Sequence, residues 1–291
     1  MDVFKTHVRE LLAIPISDEN FGQYTGLRPP FVSVHADNKR TFLAICPECD
    51  NPIQLVGLFR NQEDAAGRPY GRHVRHSVPN LARYDEDEYL ACPYADPRYR
   101  KDDGRRPVNS PKGAMLRTLM RDRFDLIVAD WERSAGIHMS VDYARRMLEG
   151  WKVNSGWLYY VANMHNLPWM LFFAAPAQPL VGRWIRKGSG LQRKLETLDR
   201  VRLGDVAPWY VQVSRVGNAY LDLSFLLWHR RIVIRDEHAE ETFLLRILLD
   251  GKPVGRDLLV HADGRYLEGA HSRRGQRLLA VADEVLGHVR P

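Results

Sequence analysis

Thr41-Phe42-Leu43-Ala44-Ile45-Cys46-Pro47-Glu48-Cys49-Asp50-Asn51-Pro52-Ile53-Gln54-Leu55 decides how the N-terminal third of the chain is read. Two runs of strand-forming residues flank a tight turn that carries two cysteines. Thiolates two residues apart can grip one metal ion from such a turn, with metal–sulfur distances of about 2.3 Å, and Pro47 fixes part of it. Cys92 is the only other cysteine in the 291 residues. Three cysteines in so long a chain make no disulfide framework. A close pair plus a distant single suits a metal site in a reducing compartment, and the cytoplasm is the expected location.

The knuckle between two predicted strands resembles the first knuckle of a zinc ribbon. A ribbon's second knuckle is normally another cysteine pair. Here Cys92-Pro93-Tyr94-Ala95 keeps only the first cysteine, so the resemblance covers half the motif. A closed tetrahedral site needs a fourth ligand. His73 and His76 lie between the knuckles, and His76, nearer Cys92, is the one expected. Cys46, Cys49, His76 and Cys92 are thus expected to hold a structural Zn2+, because four protein ligands leave no open position for water. Two other readings compete. The thiols could be plain buried apolar side chains. Cys46 and Cys49 could instead be a redox pair, although such pairs normally sit where a strand meets a helix, and Cys49 is followed by Asp50-Asn51-Pro52 and a strand.

Working outward, residues 2 to 14 read as a short helix with Val3, Phe4, Val8, Leu11 and Leu12 on one side. Phe31 to His35, Thr41 to Ile45 and Ile53 to Phe59 read as strands. Residues 61 to 110 are rich in Gly, Pro, Arg, Asp and Asn and show no sustained period. A segment of that kind needs a holder, either the metal or a bound partner. Ser110-Pro111 opens a helix expected to run to Gly136, with Ser as N-cap and Pro at the first position. Further helices are predicted from Ser140 to Trp151, Trp157 to Asn163 and Leu191 to Val201. Strands follow at Trp209 to Val216, Tyr220 to Leu227, Arg231 to Arg235, Phe243 to Leu249 and Leu258 to His261, then a helix over Gln276 to His288. Asp250-Gly251 marks a hairpin turn. The order predicts an α+β protein: a small zinc-ribbon-like β module, a helical middle, and an antiparallel β-rich C-terminal part with a closing helix. The division expected is a segment 1–109 carrying the zinc-ribbon-like module and an α+β domain 110–291.

Hydrophobic residues at 45% and charged residues at 27% favour a packed core over disorder. Gly156 to Leu180 is the most apolar region, but Asn163, His165, Asn166, Pro168 and Pro176 interrupt it. A bilayer span needs about 20 apolar residues in a row, so this is expected to be core, and no membrane partner is expected. Met1 to His7 has no long apolar stretch behind a positive start, so no secretory signal is expected.

Formal net charge is +6, and its distribution matters more than its size. Between Arg98 and Arg123 stand nine Lys/Arg against three Asp/Glu, a surplus equal to that of the whole chain. Arg98, Arg100, Lys101, Arg105, Arg106, Lys112, Arg117 and Arg121 are therefore the candidate nucleic-acid contacts. Arginines beside Tyr94 and Tyr99 suit phosphates and stacked bases, while a solvated charged face is the plain alternative. Arg183, Arg186, Lys187, Arg193 and Lys194 form a second cluster, and Arg273, Arg274 and Arg277 a third.

Catalytic patterns are weaker. Asp250-Gly251-Lys252 resembles the acidic-x-Lys element of metal-dependent nucleases and equally an ordinary turn. Arg133 and His138 have the spacing of a helical ribonuclease pair, but Gly136 stands between them. The expected function is a nucleic-acid-binding protein, DNA or RNA, with a structural zinc site, possible as one subunit of a nucleoprotein complex. The alternatives are a metal-dependent nuclease, and a protein-binding adaptor in which the aromatic stretch Trp151 to Phe173 would be exposed.

Overall fold

In a computed structural model, residues 1–8, 10, 13–60, 68–95, 104–173, 175–264, 269 and 272–287 are described. The protein is α+β, with an N-terminal strand module and a C-terminal helix. It divides into two compact units. One comprises Met1–Arg105 with Ile232–Glu240; the other comprises Arg106–Arg231 with Glu241–Pro291. Among the described residues no helix is long and apolar enough to cross a membrane.

The first unit begins with two short antiparallel strands, β1 (Val3–Phe4) and β2 (Ile14–Pro15), paired Val3↔Pro15 and Phe4↔Ile14. The predicted helix over 2–14 is therefore corrected. Its apolar spacing is compatible with a helix, but Phe4 is fully buried and Lys5 bridges Ile45 through two 3.0 Å backbone hydrogen bonds. Tertiary pairing overrides local period. Helix α1 (Asp18–Thr25) follows, capped by Ser17 and stopped by Gly26 at φ +59. Strands β3 (Val32–Val34), β4 (Arg40–Ile45), β5 (Pro52–Val56) and β6 (Tyr70–His73) form a sheet in that order. Helix α2 (Glu86–Ala91) is capped by Asp85 and ends at Cys92. β6 and α2 both lie in the stretch where the sequence shows no period. The core is Phe4, Ile14, Phe21, Ala44, Ile53 and Leu55, and the three cysteines belong to it.

In the second unit the predicted helix from Ser110 splits at Arg123 (φ −126) into α3 (Pro111–Asp122) and α4 (Phe124–Ala135), which Gly136 stops at φ +71. Helix α5 (Val141–Val153) is capped by Ser140 as expected. The predicted helix over 157–163 is only a 3-10 turn, Gly156–Leu158, and the next helix, α6 (Leu167–Phe173), starts later. Strands β7 (Gln178–Pro179) and β8 (Trp184–Arg186) precede a short α7 (Gly190–Leu195). Val201, the predicted end of that helix, instead opens β9 (Val201–Ala207), which pairs with β10 (Tyr210–Arg215).

Strands predicted at 220–227 and 231–235 are one long β11 (Leu223–Arg235), with His229 at φ +48 between them. β11 forms a sheet with β7, β12 (His238–Leu249), β13 (Lys252–Pro253) and β14 (Leu258–Ala262). Helix α8 (Arg273–Leu286) closes the chain and packs on α3, α4 and α5. Gly275 lets it approach α4: a Cβ there would lie 2.5 Å from Asp125 Oδ2. The aromatic stretch is core, with Trp131 stacked on Phe172 at 3.7 Å between ring centroids and Trp169 fully buried.

Candidate metal centre

The knuckle is built by the strands on either side. Backbone hydrogen bonds from Cys46 N to Asn51 O (2.9 Å) and from Asp50 N to Cys46 O (3.1 Å) close it, with Asp50 at φ +60. Lys5 braces it from below. Its side chain is fully buried, donates from Nζ to the Pro47 carbonyl at 3.3 Å, and pairs with Asp50. Asn51 ties the knuckle to the element that carries the third cysteine. Its amide donates to Asp85 O (3.0 Å) and accepts from Asp85 N (2.7 Å), and Asp85 caps α2, whose C-cap is Cys92. The fourth donor comes from β6, where the register pairs His73 with Ile53, just after the knuckle.

Cys46, Cys49, His73 and Cys92 thus form a cluster that could hold a metal ion, with all four ligand atoms within 4.8 Å of one another. The predicted fourth ligand is corrected: His73 stands with the cysteines, and His76 is exposed. Nearness to Cys92 in sequence misled. His73 is the last residue held by the β5–β6 ladder, whereas His76 lies three residues beyond it.

The donor separations test the fit. Cys46 Sγ to Cys92 Sγ is 3.7 Å, Cys49 Sγ to His73 Nε2 is 3.3 Å and Cys92 Sγ to His73 Nε2 is 3.7 Å. A tetrahedron with metal–sulfur bonds of about 2.3 Å and metal–nitrogen bonds of about 2.05 Å has S···S edges of roughly 3.8 Å and S···N edges of roughly 3.5 Å. The residues fit. All three cysteines are free, and 3.7 Å is far outside a disulfide.

Burial pushes all three thiols up. On Cys46 this is outweighed by hydrogen bonds with Cys49 and Cys92 and by the charge of His73, which hold it well below the usual thiol range. Cys49 and Cys92 stay well above it, through burial and then the Cys46 thiolate. A divalent cation would let all three ionise, because its charge offsets theirs. Tyr89 lies edge-on to the His73 ring at 5.2 Å, and Arg75 donates to the Tyr89 hydroxyl at 2.9 Å.

Among the described residues of the basic stretch, several are turned to the protein's own use. Arg98, Arg100 and Lys101 lie outside the described residues. Arg106, expected to meet phosphate, is 5% exposed; its guanidinium donates to the carbonyls of Tyr159 and Tyr160 and covers the Tyr160 ring at 5.2 Å. Lys112 is equally buried, on the first turn of α3, which packs closely on Leu158: a Cβ at Gly113 would lie 3.0 Å from Leu158 Cδ2. These two assignments are corrected. Arg117 donates to Leu286 O and lies over Trp157, which ties it to the fold, and Arg121 pairs with its neighbour Asp122 at 2.7 Å. Arg105 is exposed.

The residues of the catalytic patterns lie in a turn and in ion pairs. Asp250 (φ +51) and Gly251 (φ +72) make the turn between β12 and β13, and the Asp250 carboxylate pairs with Arg200. Arg133 pairs with Asp130, and His138 Nδ1 lies 2.8 Å from Glu132 Oε1 on the far side of Gly136. Trp151, Trp169 and Phe172 of the aromatic stretch are buried, while Trp157, Tyr159 and Phe173 are partly buried.

Compared with known proteins, the chain has no significant match to a family model, to a curated protein or to a solved structure.

Proposed function

We propose that Cys46, Cys49, His73 and Cys92 bind one zinc ion in a structural role, in a nucleic-acid-binding protein that works as a subunit of a nucleoprotein complex in the cytoplasm. The observation that carries the zinc assignment is that three of the donor separations, 3.3 to 3.7 Å, match edges of a zinc tetrahedron, with all four donors within 4.8 Å of one another. Four protein donors complete that tetrahedron, so the ion orders the chain and does no chemistry. Three free, buried thiols suit a reducing compartment.

Support for nucleic acid comes from charge. The chain carries +6. Arg186, Arg202 and Arg215 are exposed, and their guanidinium groups form no ion pair among the described residues. Cations left over in this way are what release counterions from a phosphate backbone.

Two measurements test the proposal. Elemental analysis of protein purified without added metal should give close to one zinc per chain; none, or a different metal, removes the zinc assignment. Fluorescence anisotropy with labelled DNA and RNA should show binding that weakens steeply with salt. Absence of salt-sensitive binding at micromolar protein removes the nucleic-acid assignment.

A further inference from the structure

Strands β8, β10 and β9, in that order, make a three-stranded antiparallel sheet within the second unit. Ile185, Val211 and Val213 are buried on one face. The register fixes the other face as three rows: Arg186–Tyr210–Ala207, Trp184–Gln212–Gly204, and Ser214–Arg202. Residues paired across strands point to the same side, about 4.5–5.5 Å apart. His138 extends the face at its edge. Its N–H donates to Trp184 O at 2.9 Å, and its ring stacks on the Trp184 indole at 5.4 Å and lies 5.2 Å from Tyr210.

The aromatics here are held differently from those of the core. Trp131 and Trp169 are fully buried, while Trp184 is 37% exposed and Trp209, in the β9–β10 turn, is 75% exposed. The charges around them are sorted as well. Glu132, the acid nearest His138, is engaged by Arg274 at 2.7 Å, and Asp205 by Lys187 at 2.8 Å. Arg186 and Arg202 remain with no acidic partner among the described residues. Gly204 sits inside β9, and nothing lies within 4 Å of where its Cβ would stand, beside Gln212 and Trp184. A glycine inside a strand often marks a place where a ligand comes close to the backbone. A cavity of about 450 Å³ opens next to the face, sharing Arg186 and lined also by Arg133, Lys187 and Gly188.

Resting on the nucleic-acid function proposed above, we infer that this sheet face is the binding site and that it takes single strands. Bases stack on Trp184 and Tyr210, with Trp209 at the margin, and phosphates meet Arg186 and Arg202. Stacking tolerates any base, because each has a π-face, and it requires faces that a duplex hides. The site is thereby moved away from residues 98–123, where the sequence concentrates charge, to a place where the fold leaves charge unspent. DNA and RNA share this chemistry.

The experiment is anisotropy with a labelled oligothymidylate, an oligouridylate of equal length and a blunt DNA duplex, each over a salt series. Wild type should bind one or both single strands more tightly than the duplex. Trp184→Ala should weaken single-strand binding about tenfold, and Trp184→Phe should restore most of it. Arg186→Ala should reduce the slope of log K against log salt by about 0.7. If Trp184→Ala does not fold, the slope measured on Arg186→Ala and Arg202→Ala decides alone. A wild type that binds no nucleic acid overturns the function and this site together. A wild type that binds while Trp184→Ala and Arg186→Ala match it, or one that prefers the duplex, overturns the site and leaves the function standing.

Discussion

The first unit packs Phe4, Phe21 and Ile53 around a wall that contains Cys46, Cys49 and Cys92; the second packs Trp131, Trp169, Phe172 and Phe225 with helices closing over a sheet. Apolar burial contributes about 25 cal/mol per Å² wherever it occurs, but the two units have different amounts to bury. Among the described residues between Met1 and Cys92, strands of two to six residues and helices of six to eight supply little regular structure. The second unit has helices of 12 to 14 residues and two long strands. If the cluster of Cys46, Cys49, His73 and Cys92 holds a metal ion, the ion would substitute in the first for contacts that the second obtains from rings. Stability should accordingly answer to different agents in the two units.

The largest effect expected is metal removal. Chelation, or Cys46→Ser or Cys92→Ser, should abolish zinc binding and destabilise the first unit by several kcal/mol, since structural zinc contributes its binding energy directly to folding. Calorimetry with and without chelator should show one transition lost or moved far down and the other in place; identical traces would count against a structural ion. Within that test His73→Ala should behave as the cysteine variants do, and His76→Ala as wild type.

Next comes a substitution that should do the reverse. Glu241 is buried, pairs with Arg230, and accepts from Asn166 (2.8 Å) and Asn163 (3.2 Å). Glu241→Ala leaves a buried guanidinium and two amides short of an acceptor, which costs about 3–5 kcal/mol. Denaturant melts should show that loss in the second unit while zinc content stays unchanged. A fall in bound zinc would mean the units are not separable in this way.

A pH effect follows from Glu132. Burial raises its carboxyl, but hydrogen bonds with His138 and Arg274 outweigh that and hold it below its usual 4.5. A carboxyl lowered on folding contributes stability that is present above the ordinary range and lost as pH falls through the folded value. Acid titration of the second unit should therefore show a shallower limb in Glu132→Gln. An unchanged limb would show that other carboxylates carry it. The smallest effect expected is Ser272→Ala. Its hydroxyl accepts from Gly275 N at 3.1 Å and caps α8, so its loss should cost about 1 kcal/mol.

The cysteine part of the centre is legible in sequence because three cysteines are few and Cys-x-x-Cys has a mechanism. The histidine is not, because its choice depends on the β5–β6 register, which no local pattern encodes. The helix starts at Ser110, Ser140 and Ser272 and the stop at Gly136 follow from capping chemistry, and the structure keeps all four. The misreadings share a cause. Over residues 2–14 apolar spacing suits a helix, but Val3 and Phe4 pair with Pro15 and Ile14, and Lys5 bridges Ile45 of β4. Charge along 98–123 gives amount but not direction, and the carbonyls of Tyr159 and Tyr160 draw Arg106 inward. Trp184-Ile185-Arg186 is too short for any period to show; a linear scan finds Arg186 in a basic cluster and Trp209 to Val216 as a strand, but not the register that joins them in one face.

The hairpin of β11 and β12 has its tip, Ile232–Glu240, within the first unit, where His238 meets Asp2 at 3.1 Å. This fixes an order of events during synthesis. The four donors are all made by Cys92, while the tip comes about 150 residues later, which at about 5–20 residues per second is roughly 7 to 30 s. Through that interval the knuckle can acquire its ion on the ribosome, before the last piece of its own unit exists. Metal supply would then act on the nascent chain as well as on the finished protein.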